Sequence, residues 1–294
     1  MFVVLGATGN TGSVAASTLL AQGKSVRVVV RSAAKGEAWK AKGADVAVAD
    51  VEDRGALERA LTGAEGAYVL LPPIFSSSQV RVDNDRRAKS IAAAIAASGV
   101  SHVVMLSSIG AQHPDGTGSV LYLHDAEATI ARTVSSASGA RAVTFLRPAY
   151  FMENWALALQ PAAQGIFPTF LRADRAIPMV ATRDIGLAAA RLLAEGGGGS
   201  RIVQLAGPRE YTPNDVASSL GRLLGKPIAV QQLPDEAMAA AMLAAGMNDD
   251  WSRLFQELTH GLNTGRVAWE AGHSIRRGET DIEAVFASLL GSAK

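Results

Sequence analysis

Three glycines, at positions 6, 9 and 12, constrain this chain more than any other feature. They follow a short apolar run, Phe2 to Leu5, and precede a helical pattern that continues through Leu20. The order is strand, glycine turn, helix, which is the opening of a nucleotide-binding βαβ unit. Gly6 lets the chain leave the strand in a tight turn, and Gly9 lets the backbone approach a pyrophosphate. Gly12 lets the helix pack closely on the strand. The helix N-terminus then offers free N–H groups and a positive dipole end to phosphates.

Apolar runs and helical patterns alternate behind this opening. Strands are expected at Ser25–Val30, Asp45–Ala49, Ala67–Leu71, His102–Leu106 and Arg141–Leu146, with Arg201–Leu205 returning to the same sheet. Their continuous apolar character suits parallel strands covered on both faces. Helices are expected over Ala33–Lys42, over Arg54–Leu61, from a cap at Asn84 or Asp85 to Ser98, and over Tyr122–Ser136. Beyond Trp155 the rhythm weakens. Ile177–Val180 reads as extended, Arg183–Leu193 as helical, and Thr212-Pro213 as the start of another helix. A short strand near Ile228–Val230, a helix from Pro234 and a last helix capped by Thr280-Asp281 complete the pattern. Trp251, Leu254, Phe255 and Leu258 fall at helical spacing on one face and are read as packing residues.

The expected fold is α/β: a doubly wound Rossmann-type parallel sheet with a small α+β C-terminal substrate region. Residues 1–155 form the core, with 181–206 returning to it. Residues 156–180 and 207–294 form the smaller substrate or lid region.

Composition narrows the function classes. The 294 residues are 48% apolar and 19% charged, enough for a sizeable core. A net charge of +1 argues against a general nucleic-acid or membrane surface. No stretch reaches the roughly eighteen uninterrupted apolar residues of a membrane span. There are no cysteines, which excludes disulfides, thiolate metal sites and cysteine nucleophiles. No metal is expected. The first strand begins at residue 2 and leaves no room for a cleavable signal peptide. The expectation is a cytoplasmic monomer or homodimer without nucleic-acid or membrane partners.

Ligands of open α/β sheets bind outside the carboxyl ends of the strands. An NAD site places Asp or Glu at the end of the second strand, where it accepts from the ribose 2′-OH. This chain has Arg31 there, with Lys35 one helical turn beyond. A guanidinium pairs with a 2′-phosphate that a carboxylate would repel. NADPH is therefore expected over NADH, which remains the alternative. Asp50, ending the third strand, either contacts the adenine amino group or caps the following turn. Ser107 and Ser108, ending the fifth, either bond the nicotinamide ribose or a substrate carbonyl, or satisfy the strand-end backbone.

Taken together, these residues resemble the NmrA-like, atypical short-chain dehydrogenase/reductase family over nearly the whole chain. The resemblance is carried by Gly6-Ala-Thr-Gly-Asn-Thr-Gly12, Val28-Val-Val-Arg31, Asp50-Val51, His102-Val-Val-Met-Leu-Ser-Ser108, the helix with Glu127, Leu146-Arg-Pro-Ala-Tyr-Phe-Met-Glu-Asn-Trp155, and Thr182-Arg-Asp-Ile-Gly186. Within the family the chain is similar to bacterial NAD(P)H-dependent quinone, azo-dye and triphenylmethane reductases of the flavin-free type. The resemblance implies that Thr8, Asn10, Thr11, Arg31, Leu71 and Pro72 line the cofactor. It also implies that Tyr150 and Phe151 flank its nicotinamide end and that no flavin is used.

One departure matters. Short-chain dehydrogenases carry a lysine four residues after the catalytic tyrosine, which lowers the phenol's pKa. Here Tyr122 is followed by Ala126. His124 and Glu127 share the helix; His124 is the candidate proton donor alongside Tyr122, and Glu127 reads as structural. Hydride transfer to a quinone or conjugated electrophile needs little proton machinery, because the resulting anion is delocalised. The resemblance implies a small aromatic or conjugated substrate, and Phe75, Tyr122, Tyr150, Phe151, Met152 and Trp155 could supply its walls. The alternatives are an NAD(P)-binding redox sensor without turnover, and a reductase or isomerase of one specific metabolite. Loops 74–83 and 109–120 are expected to close over the cofactor.

Overall fold

Eight parallel strands run through the centre of the computed structural model, which describes residues 1–136 and 141–292. The first half alternates regularly: β1 (Phe2–Leu5), α1 (Asn10–Ala21), β2 (Val26–Val30), α2 (Glu37–Ala41), β3 (Asp45–Val48), α3 (Arg54–Leu61), β4 (Gly66–Val69), α4 (Val80–Ser98), β5 (His102–Leu106), α5 (Leu121–Ser136) and β6 (Ala142–Pro148). Shorter elements follow: β7 (Tyr150–Phe151), α6 (Leu159–Ala162), β8 (Ile166–Thr169), β9 (Ile177–Val180), α7 (Thr182–Glu195), β10 (Arg201–Ala206) and β11 (Glu210–Tyr211). The chain ends with α8 (Pro213–Leu224), β12 (Ala229–Gln232), α9 (Met238–Ala244), α10 (Asp249–Thr264), β13 (Ile275–Arg277) and α11 (Ile282–Ser292).

The main sheet has the order β13-β10-β6-β5-β4-β1-β2-β3. It reverses direction of growth between β1 and β4, which is where a doubly wound sheet opens a ligand crevice. One face packs on α1 and α7, through Ala15, Leu19, Val28, Ile185 and Leu192. The other packs on α3, α4 and α5, through Leu57, Ile91, Ile95 and Ile130. A third apolar cluster, with Trp155, Phe167, Tyr211 and Phe286, lies in the C-terminal part. There β11-β9-β7 and β12-β8 form two small sheets. Among the described residues no helix is long and apolar enough to cross a membrane.

Several boundaries differ from the sequence expectation, each for a physical reason. The helix expected to begin at Asn84 or Asp85 begins at Val80, with Asn84 fully buried inside it and bonded to the Val80 carbonyl at 2.9 Å. Its start is fixed from far away: the Val80 N–H donates to Asp250 on α10 at 2.7 Å. The strand expected to reach Leu71 ends at Val69, before Pro72-Pro73. The helix expected over Ala33–Lys42 divides into a 3-10 turn, Ala33–Gly36, and α2. The short strand expected near Ile228–Val230 forms one residue later, as β12, and pairs with β8. Conversely, Ile275–Arg277, which carried no strand expectation, pairs with β10 and closes one edge of that sheet. The helix expected from Thr212-Pro213 forms as α8, opened by a capping box in which Thr212 and Asp215 bond each other's backbone N–H.

Close packing at the first turn has a direct test. A Cβ on Gly12 would run into the carbonyl oxygen of Gly6, a backbone atom that cannot yield without moving the turn. Gly12→Ala is expected to cost about 2–3 kcal/mol, as overpacking does. A thermal unfolding scan should show Tm falling by several degrees.

Candidate active site

A cavity of about 660 Å³ opens at the carboxyl ends of β1 to β6. Its volume suits a bound cofactor or substrate-sized ligand. From the β1–α1 turn it is lined by Gly6, Thr8, Gly9, Asn10 and Thr11. The ends of β2 and β3 contribute Arg31 and Asp50, and the chain after β4 contributes Leu71 and Pro72. Ser107, Tyr122 and Tyr150 complete the opposite side. Of the residues expected to bind cofactor, Gly12 alone lies behind the lining, under the turn.

The α1 N-terminus is built to receive an anion. Its N-cap is Gly9, which has no side chain to satisfy the first-turn amides, and no acidic residue occupies that turn. The first N–H groups of a helix have no partner within it. Buried Tyr68 donates to the Thr11 hydroxyl oxygen at 3.0 Å and fixes it from below. Arg31 is exposed at the end of β2, with no carboxylate beside it in sequence. Asp50 accepts from the Glu52 N–H at 3.0 Å, so it caps its turn while also facing the cavity.

At the end of β5 a buried polar chain begins. Ser107 donates its hydroxyl proton to Glu127 at 2.5 Å. Glu127 in turn accepts two hydrogen bonds from Arg147, at 2.8 and 2.5 Å. Arg147 also pairs with Glu270. All three of Ser107, Glu127 and Arg147 are buried. Burial works against the Arg147 charge, but the Glu127 and Glu270 carboxylates outweigh it and hold its pKa above the ordinary arginine value. A serine has one proton to give. With that proton committed to a carboxylate, Ser107 turns only acceptor lone pairs toward a ligand. Ser108 is committed similarly, donating to the Ile109 carbonyl at 3.0 Å.

Donors toward the ligand come instead from phenols. Tyr122 and Tyr150 both line the cavity, and burial pushes each hydroxyl up to about 12. The Asn154 side chain opposes that shift at Tyr150, and the Arg87 charge does the same for Tyr122. Both phenols therefore keep their protons at neutral pH. His124 is not among the lining residues; its Nδ1 is held by the Ala111 carbonyl at 2.8 Å. The ring anchors the loop after β5. Of the expected apolar walls, Phe75, Tyr122, Tyr150 and Phe151 line the cavity, while Met152 and Trp155 are buried in the C-terminal cluster.

The remaining wall was missed by sequence reasoning. Trp251, Phe255, Leu258 and Leu262 of α10 line the cavity, so most of the stripe read as packing also faces it. Periodicity located the stripe, but nothing local in sequence shows what an apolar face covers. The same helix pins both long loops. Trp251 donates through Nε1 to the Ile74 carbonyl at 2.8 Å and packs at a tilt on Phe75, with ring centroids 5.1 Å apart. Asn248 donates to the carbonyls of Phe75 and Ser77, each at 2.9 Å. Gly118, at φ +57°, sits against the Leu254 carbonyl, where a Cβ would collide. Loops 74–79 and 109–117 are thus packed against α10 in this structure. Arg87 was missed as well; it is buried and lines the cavity floor. Among the described residues no cluster of His, Asp and Glu could hold a metal ion.

A parallel sheet with an uncapped, glycine-bounded helix N-terminus at its switch point defines a dinucleotide-binding α/β protein. The chain belongs to the NmrA-like family, whose model matches residues 1–272. Quinone oxidoreductase 2 of Escherichia coli (strain K12) is 30% identical, over 90% of this chain and 89% of that protein. The (4-alkanoyl-5-oxo-2,5-dihydrofuran-3-yl)methyl phosphate reductase of Streptomyces griseus subsp. griseus is also 30% identical, over 83% of this chain and 81% of its own. The crystal structure of an Escherichia coli NADPH-dependent quinone oxidoreductase with NADPH superposes with a TM-score of 0.81, at 24% identity, covering 99% of this chain and 100% of that one.

The clamp by α10 is open to measurement. Asp250→Ala removes the cap on the first turn of α4, which is worth about 1 kcal/mol. Hydrogen exchange should quicken locally at residues 74–82, with β1 and β5 amides unchanged.

Proposed function

We propose that this protein is a cytoplasmic NADPH-dependent oxidoreductase that passes hydride directly to a quinone or similarly conjugated electrophile. The observation that carries the reading is the conjunction, in one cavity, of an uncapped helix N-terminus, Arg31 and an apolar aromatic wall with two protonated phenols. The relatives support it: one is named as a quinone oxidoreductase and another as a reductase of a phosphate ester bearing alkanoyl and oxo groups.

When bound, NADPH supplies the hydride from its nicotinamide ring. The protein's own residues do the rest. The α1 N-terminus receives the pyrophosphate, and Arg31 receives the 2′-phosphate. Ser107, its proton held by Glu127, accepts from an N–H or O–H of the nicotinamide nucleoside. Tyr150 and Phe151 flank that end, and Trp251, Phe255 and Leu258 exclude water from the acceptor. Catalysis rests mainly on holding the reacting carbons about 3–3.5 Å apart. Tyr122 donates a hydrogen bond to the acceptor oxygen as negative charge develops there. Without a lysine at 126 this phenol is a donor only, which favours reduction over alcohol oxidation.

Four measurements test this. Mixing the protein with NADPH and a panel of quinones should oxidise the nicotinamide, read by absorbance. Tight NADPH binding with no oxidation across the panel would instead establish a sensor. Arg31→Ala should weaken NADPH binding about 10- to 100-fold while leaving NADH within a few-fold, the loss of hydrogen bonds to a charged group. The turnover rate should be flat from about pH 6 to 9, because a phenol with its pKa pushed up to about 12 stays protonated throughout. Tyr122→Phe should lower kcat about five- to tenfold, the worth of one hydrogen bond.

A further inference from the structure

Arg87, on α4, is 5% exposed and lines the cavity floor. Its Nη1 donates to the Pro72 carbonyl at 2.7 Å and to Asn84 Oδ1 at 3.1 Å. Both acceptors are neutral. Nε and Nη2 make no hydrogen bond within the described residues, and no carboxylate there stands within ion-pair distance. The Asp50 and Glu52 charges favour the guanidinium from farther off, and the Arg31 charge opposes it. Burial dominates these influences and pulls the Arg87 pKa down.

An arginine cannot shed its charge at any ordinary pH. A buried charge without a counter-charge is costly, and proteins place one beside a cavity where a ligand supplies the opposite sign. The geometry of the free edge is specific. With Nη1 occupied, the N–H groups left over are those of Nε and Nη2, the side-on fork that matches two oxygens of one phosphate, sulfonate or carboxylate. The cofactor's own phosphates already have receivers in the α1 N-terminus and Arg31. Arg87 also lies near enough to Tyr122 for its charge to bear on that phenol.

We propose that Arg87 receives an oxyanion of the substrate, so that the acceptor is a conjugated electrophile carrying a phosphate or carboxylate group. The inference rests on the hydride-transfer reading and names the substrate class of that same site. It holds the anionic end of the substrate on the cavity floor beside the Tyr122 hydroxyl.

A naphthoquinone sulfonate and its parent naphthoquinone form a matched pair that differs in charge. Their dissociation constants can be read from tryptophan fluorescence, since Trp251 lines the cavity, with NADP⁺ present. The wild-type protein should prefer the sulfonate by about tenfold or more, as charge-assisted bonds do. Arg87→Met should erase that preference while leaving the parent quinone and NADPH within about twofold. Arg87→Lys, which keeps the charge and loses the fork, should fall between. A melting curve identifies any variant that fails to fold; the wild-type comparison and the lysine variant then decide.

Equal binding of the two quinones by the wild type would overturn the proposal. So would a preference that survives Arg87→Met, or a loss of NADPH affinity instead, which would assign the oxyanion to the cofactor. Absence of turnover with the sulfonate preference intact would overturn hydride transfer and leave the anion site standing.

Discussion

A single buried guanidinium ties together the side of the site where chemistry occurs. Arg147 ends β6, clasps Glu127 on α5 with two hydrogen bonds, and pairs with Glu270 from the segment after α10. Through Glu127 it also fixes Ser107 at the end of β5. Removing one partner of a buried pair leaves the other charge stranded, at a cost of about 3–5 kcal/mol. The network therefore has essentially one arrangement. That arrangement decides which groups facing the cavity can donate and which can only accept, a distinction that residue identities alone do not contain.

Legibility in the sequence followed the range of the interactions. Gly6, Gly9 and Gly12 could be read because turn, close approach and helix start are set by residues within a few positions of each other. Arg31 was legible for the same reason: it stands where a strand must end. The capping box at Thr212 and Asp215 is local too. Asn84 misled because its short polar side chain suits a helix cap, while the real cap on Val80 comes from Asp250, far along the chain. For His124 the sequence shows suitable chemistry but not the direction of the ring, which is set by the Ala111 carbonyl thirteen positions away. The α10 stripe showed its period but not its partner. Ile275–Arg277 is too short a strand to announce itself before β10 offers an edge.

The two halves of the cavity are accordingly built in different ways. The cofactor half is a property of the βα turn, made of backbone amides and glycines with little freedom to vary. The opposite half is assembled from α4, α5, the strand ends and α10, with aromatic and aliphatic side chains that can change size without disturbing the sheet. Side chains of the second half can therefore be exchanged without rebuilding the βα turn, whereas the first half cannot change without moving backbone.

One consequence of α10 concerns the order in which the protein is made. The helix that caps α4, covers the loop after β5 and walls the cavity lies within the last 46 residues of the chain. During synthesis the glycine turn and the first five strands leave the ribosome well before it does. For that interval the N-terminus of α4 has no partner, and Ile74 and Phe75, against which Trp251 will pack, lack that cover. Long-range closure of this kind is slow relative to local structure. The nascent sheet is thus a platform that can form early, and the site becomes complete only when α10 folds back onto it.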